Sequence, residues 1–144
     1  MEKKKALTTV IYDNAGTLYY LIFQDKNARW VLPKALSKDN TDISKLAEDL
    51  ARQVTSLQSL KATHKIQPAV PIEYEGTHYD FEIFLIEASM NSPILIKQNT
   101  FETYLWGTYD RCAEKLTSQE EKFILQKSHE SLSAQISSGK EEAS

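Results

Sequence analysis

The stretch "WVLPKALSKDN", Trp30 to Asn40, decides how this chain is read. It has the outline of a phosphate-handling loop: a short apolar strand, a proline, a lysine, then small and polar residues leading toward a helix. Such loops use glycine because a bare Cα lets backbone N–H groups close on phosphate oxygens. Ala35 stands where that glycine would be. The reading therefore turns on the next segment, and on whether it carries the carboxylates that would make the loop catalytic.

That segment has a helical period from Thr41 to Leu57. Thr41 or Asp42 can cap it, and Ile43, Leu46, Ala47, Leu50, Val54 and Leu57 form one apolar stripe. Upstream, "ALTTVIYD" (Ala6 to Asp13) and "TLYYLIFQ" (Thr17 to Gln24) are rich in β-branched and aromatic residues. They flank "NAG" and so predict a hairpin turning at Gly16. "RWVL" predicts a short third strand that Pro33 stops, because proline cannot donate into a ladder.

Downstream, "IQPAVPIEY" and "HYDFEIFLIEA" predict a second hairpin around Gly76. "FETYLWG" predicts a last short strand ending at Gly107, and "YDRCAEKL" two helical turns. "SQEEKFILQKSHESLSAQI" predicts a longer helix whose Ser118 and Glu121 fit a capping box. The expected architecture is α+β, an α/β/α sandwich around a mixed sheet. One domain is expected over residues 1–136, with a flexible polar tail over 137–144.

Composition narrows the function classes. A chain of 144 residues is one domain by the usual prior. Hydrophobic residues at 41% and charged residues at 26% describe a globular protein. The net charge of −3 offers no basic field for nucleic acid. A single cysteine, Cys112, excludes an intrachain disulfide and suits a reducing compartment, so a cytoplasmic location is expected. His64, His78 and His129 are too scattered for a zinc-ligand spacing. No apolar run approaches the roughly 18 residues needed to span a bilayer.

With these residues in view, the chain from about Ala6 to Leu132 resembles a Nudix hydrolase. Nudix proteins carry G-x5-E-x7-R-E-U-x-E-E-x-G-U, with U a bulky aliphatic. The branch that hydrolyses diadenosine tetraphosphate commonly precedes it with W-x-x-P-K-G. Here that element reads Trp30-Val31-Leu32-Pro33-Lys34-Ala35, and the order of "FETYLWG" and the two C-terminal helices is similar to that branch. The resemblance implies a metal-dependent hydrolase of nucleoside polyphosphates, and the box residues depart from it. Without a gap, Ala35 falls on the first glycine and Thr41 on the first glutamate. Asp49 and Leu50 fall on R-E, and Ala51 on U. Gln53 and Val54 fall on the paired glutamates, Ser56 on the second glycine and Leu57 on the last aliphatic. Every carboxylate of the pattern is replaced.

The same conclusion follows without the register. A magnesium site for phosphate chemistry needs hard oxygen ligands converging on one ion. On a helix, that means carboxylates three or four residues apart. Glu48 faces Ala51 and Arg52 at those spacings, and Asp49 faces Arg52 and Gln53. Asp39 and Asp42 are three apart but lie before or at the helix start, where capping is the simpler role. Leu50 and Val54 meanwhile turn the pattern's polar face apolar. Exposed, they would forgo about 1.5–3 kcal/mol each, so they are expected to pack under a loop or the C-terminal helix, or else to form a patch for a partner or second subunit.

The favoured expectation is a catalytically inactive Nudix-fold protein that binds a nucleotide or other phosphorylated ligand, or a protein partner, with no catalytic residue and no metal. The resemblance implies Lys34 at the polyphosphate and puts Ile83 near the position of the branch's stacking aromatic, with Phe84 beside it; Trp30, Tyr79 and Phe84 are the further ligand-binding candidates. Arg29, Lys38, Lys65 and Lys97 could add charge, though single surface cations have simpler roles. The alternative is a working polyphosphate hydrolase holding Mg2+ or Mn2+ through Glu48, Asp49 and Glu102, or through the acids between Glu73 and Glu82. Nucleic acid and membrane are not expected partners; a homodimer is admissible.

Overall fold

The computed structural model describes residues 4–14, 16–36, 43–57, 59–74, 76–96 and 101–143. Among the described residues, seven strands form one mixed sheet: β1 (Lys4–Asn14), β2 (Leu18–Gln24), β3 (Trp30–Val31), β4 (Lys34–Leu36), β5 (Lys61–Tyr74), β6 (Thr77–Glu87) and β7 (Thr103–Gly107). Three helices cover it: α1 (Ile43–Thr55), α2 (Tyr109–Lys115) and α3 (Gln119–Ala143). The strand order is β3-β2-β1-β6-β5, with β4 pairing β1 and β7 pairing β2. β1 and β6 are parallel, while the other pairings are antiparallel. The α/β/α sandwich and both expected hairpins are present.

Because side chains alternate along a strand, each central strand feeds two cores. Leu7 and Ile11 of β1, Leu21 and Phe23 of β2, and Phe84 and Ile86 of β6 meet α1. Val10, Tyr20, Ile22, Phe81, Ile83 and Leu85 instead meet Cys112, Leu116, Ile124, Leu125 and Leu132 of the C-terminal segment. The centre of the α1 stripe is Ala47, Ala51 and Val54, all buried. Two alanines there let the helix lie close to the sheet. Leu46 and Leu50 flank this line, partly buried against the same core.

Two strand boundaries differ from expectation. Pro33 interrupts the chain without ending its extended course, and β4 resumes beyond it to pair with β1. Proline lacks an N–H but keeps its carbonyl, which accepts from the Thr9 backbone N–H at 3.2 Å and the Thr8 hydroxyl at 2.8 Å. β5 starts at Lys61, five residues before the apolar pattern that suggested it. It is an edge strand paired with β6 alone, with register shifts between Ala62 and His64 and between Ile66 and Val70. An edge position removes the need for an unbroken apolar face and tolerates Pro68 and Pro71.

At the C-terminus α3 runs on through residues 137–143, the segment expected to stand apart as a tail. Among the described residues, no helix is long and apolar enough to cross a membrane.

Candidate functional site

The outer positions of α1 are where a Nudix-type site would be built. The helix ends at Ser56, the residue that the ungapped register places on the second glycine. Ser56 is in the left-handed region, with φ +63°, a conformation glycine adopts most readily. Its N–H donates to the Arg52 carbonyl at 2.7 Å, and its hydroxyl to the Leu95 carbonyl at 2.9 Å. The Leu95 N–H in turn donates to the Thr55 carbonyl at 3.0 Å. The segment around Ile94 is thus clipped onto the end of α1, and buried Ile94 and Phe101 join the core beneath.

Val54, on the second of the paired glutamate positions, is 4% exposed. Leu50 is partly buried, in the same cluster as Val31, Ala35, Ile96 and Trp106. The covering elements are the sheet and the segment from Ile94, and the C-terminal helix lies on the opposite face. The expected packing of Leu50 and Val54 therefore holds, with a different cover from one of those anticipated.

Of the remaining box positions, Gln53 is exposed and Thr41 lies outside the described residues. Asp49 meets Arg52 at 3.5 Å and Glu48 meets the same guanidinium at 3.8 Å. One arginine thus holds both acids along the helix surface. Exposed pairs of this kind contribute little. Glu48→Ala and Asp49→Ala are each expected to change stability by no more than about 0.5 kcal/mol in urea unfolding. A hydrolytic activity abolished by either change would restore the enzyme reading.

The loop that opened the sequence reading is anchored from the other side. Lys34 Nζ lies 2.7 Å from Glu121 Oε2 and donates to the Leu32 carbonyl at 3.0 Å. Glu121 Oε2 also accepts the Leu32 backbone N–H. The Glu121 backbone N–H donates to the Ser118 hydroxyl at 3.1 Å, and that hydroxyl lies 3.2 Å from Glu121 Oε1. Glu121 is 2% exposed. The sequence marks it as a helix-capping residue; its burial and its grip on Leu32 and Lys34 carry no local signature. Trp30 is tied to the same region, its N–H donating to the Thr117 hydroxyl at 3.0 Å and its carbonyl accepting from the Thr117 N–H at 3.1 Å.

The candidate stacking residues are not brought together. Tyr79 packs on the α3 side, tilted against Phe81 at 5.7 Å. Phe84 is buried on the α1 side, with Lys65 Nζ 5.9 Å from its ring centroid. Lys65 pairs with Glu82 at 2.7 Å, Arg29 with Asp25 at 3.3 Å, and Glu102 with Lys26 at 3.2 Å. Lys38, Lys97, Asp39 and Asp42 lie outside the described residues. Among the described residues, no three histidine, cysteine or acidic side chains gather where one metal ion could touch them.

A second polar assembly lies on the opposite face of the sheet. The Tyr20 hydroxyl is 2.8 Å from His129 Nδ1, and the Tyr109 ring stacks on the imidazole at 4.4 Å with 6° between planes. His129 is half-buried within α3. Burial raises the Tyr20 pKa, with smaller contributions from Cys112, Tyr12 and Tyr109. A phenol that keeps its proton donates to Nδ1, which leaves the neutral imidazole its own proton on Nε2. Burial lowers the His129 pKa, opposed by Asp110 and Glu130. Below its ordinary value the folded state therefore binds fewer protons here than the unfolded chain. This contribution to stability is present above about pH 6.5 and is lost as pH falls through the lowered value. Thermal unfolding from pH 7.5 to 5 should show that loss, and His129→Phe should flatten it.

No protein-family profile matches the sequence, and no curated protein does. Solved structures match it over most of its length. The C. elegans Ap4A hydrolase in a binary complex superposes with TM-score 0.72 at 16% identity, covering 91% of this chain and 98% of that one. A Nudix hydrolase from M. smegmatis, RenU, gives 0.73 at 12% identity, covering 92% and 87%. The Nudix domain of Shewanella oneidensis NrtR, complexed with ADP ribose, gives 0.64 at 11% identity, covering 92% and 90%. At these identities it is the backbone that is shared, and this chain has the Nudix hydrolase fold.

Proposed function

We propose that the chain is a non-hydrolytic Nudix-fold protein, a binding or interaction module on the frame of a nucleotide hydrolase. The observation that carries this reading is the face of α1. Leu50 and Val54 occupy the positions that the resemblance gives to glutamates, and they join the apolar core beneath the helix. Metal-assisted phosphate chemistry needs oxygen ligands converging on one ion. The reading without Mg2+ or Mn2+ is supported by the ion pairs of the candidate ligands: Glu48 and Asp49 share Arg52, and Glu102 pairs with Lys26.

A nucleotide is the first ligand class to test, because a fold neighbour is described with ADP ribose. With Lys34 paired to Glu121, such binding is expected to be weak and independent of divalent metal. The second occupant is a protein partner. The net charge of −3 and the single cysteine support a cytoplasmic module that does not act on nucleic acid.

The decisive experiment incubates near-stoichiometric protein with diadenosine tetraphosphate and Mg2+ or Mn2+. No mononucleotide is expected over hours, whereas chelator-sensitive product would overturn the reading. Thermal shift without metal then separates the occupants. Stabilisation by ADP ribose or diadenosine tetraphosphate assigns a nucleotide site, and no shift assigns the protein partner.

A further inference from the structure

A cleft of about 370 Å3 opens on the α3 side of the sheet, away from α1. Its walls come from three places: Thr17 and Leu18 after the β1–β2 turn, Thr108 to Asp110 at the start of α2, and His129, Ser133 and Ile136 of α3. The volume lies within the usual range for small-molecule sites, and the lining is mostly polar, with Leu18 and Ile136 as its aliphatic side chains.

We propose that this cleft binds a small organic ammonium ion. Asp110 supplies its carboxylate, and among the described residues no lysine or arginine lines it. Tyr109 and His129 stack face to face, and His129 is pinned from beneath by Tyr20, so both rings are held rigid. A tyrosine ring beside a carboxylate attracts a cation and repels an anion. The hydroxyls of Thr17, Thr108 and Ser133 can accept from an ammonium, while Leu18 and Ile136 offer apolar surface to its carbon body. Phosphate and carboxylate ligands find no partner of opposite charge. The cleft is thus chemically opposite to a nucleotide site, and the proposal stands independently of the function proposed for α1.

The turn keeps one wall low. Gly16 has φ +98°, and a Cβ there would meet nothing within 4 Å, so the cleft is open to solvent on that side. A ligand can enter without a moving lid.

The test uses benzylamine, with benzyl alcohol and benzoate as neutral and anionic counterparts of the same shape. Each is titrated into the labelled full chain while backbone amide resonances are followed. Benzylamine is expected to shift Gly16, Thr17, Thr108 to Asp110 and Ser133 saturably, and to bind at least about tenfold more tightly than benzyl alcohol. Benzoate should leave these amides unmoved. Asp110→Asn, at an exposed position that leaves the rest of the spectrum in place, should reduce benzylamine to the level of benzyl alcohol. Equal binding of amine and alcohol, unchanged binding by the Asn variant, or shifts confined to other parts of the chain would each overturn the proposal.

Discussion

Replacing Glu121 by alanine is expected to cost about 3–5 kcal/mol, the loss that follows when one partner of a buried ion pair is removed. The carboxylate is 2% exposed and receives the Lys34 ammonium, the Leu32 N–H and the Ser118 hydroxyl. Truncation takes this carboxylate from beside the lysine, leaves a buried amide without its acceptor and removes the Ser118 contact at the start of the helix. Urea unfolding should show the midpoint fall with the slope unchanged. The double variant Lys34→Met with Glu121→Leu separates attraction from desolvation. If the pair merely balances its desolvation, the double variant will lie well above Glu121→Ala and near the parent chain. A loss below about 1 kcal/mol for Glu121→Ala would mean that water solvates the site.

Restoring the resemblance at Val54 should have an effect of similar size. Val54→Glu writes back a carboxylate at a position that is 4% exposed, between Ala51, Leu57 and the sheet. An unpaired carboxylate in an apolar setting costs several kcal/mol, or takes up a proton and titrates far above its ordinary value. The expected result is a chain that is unfolded or markedly less stable at neutral pH, that recovers as pH falls toward 5, and that gains no magnesium-dependent activity. A stable, active Val54→Glu variant would show that the helix face is still a cleft. It would remove the main support for a non-hydrolytic module.

Much of the fold was legible because its signals are local. Runs of β-branched and aromatic residues in "TLYYLIFQ" and the alternation that opens "HYDFEIFLIEA" name strands, and the spacing of Leu46, Ala47, Leu50 and Val54 names a helix. What stayed hidden depends on neighbours far away in sequence. β4 has no local signal, because Pro33 reads as a stop while its carbonyl bridges to Thr8 and Thr9. The early part of β5 was missed because an edge strand shows no apolar pattern. The mixed character of the sheet could be expected, but not which strands run parallel.

The candidate site divides in the same way. The replaced carboxylates could be read directly from the spacing, since convergence on a helix is a local rule. The fate of Lys34 could not, because its partner Glu121 lies 87 positions away and reads, in sequence, as a helix cap. The stacking assignment was half local. Alternation puts Tyr79 and Phe84 on opposite faces of β6, which argues against a joint clamp, and the structure places them in different cores. The setting of His129 has no local signature, because Tyr20 and Tyr109, which enclose it, belong to other elements.

The parallel pairing of β1 with β6 bears on how the chain comes off the ribosome. From Lys4 with Tyr79 to Tyr12 with Glu87, every β1 residue pairs with one made 75 positions later. At about 5–20 residues per second, that interval is roughly 4–15 s. Through it, β1 keeps one row of amides and carbonyls without its native partner. That strand contains "ALTTVIY", a run without charge or proline. Such an edge is a template for another chain in the same condition. The greatest aggregation hazard of this protein therefore belongs to its birth and refolding, and it ends when β6 closes the middle of the sheet.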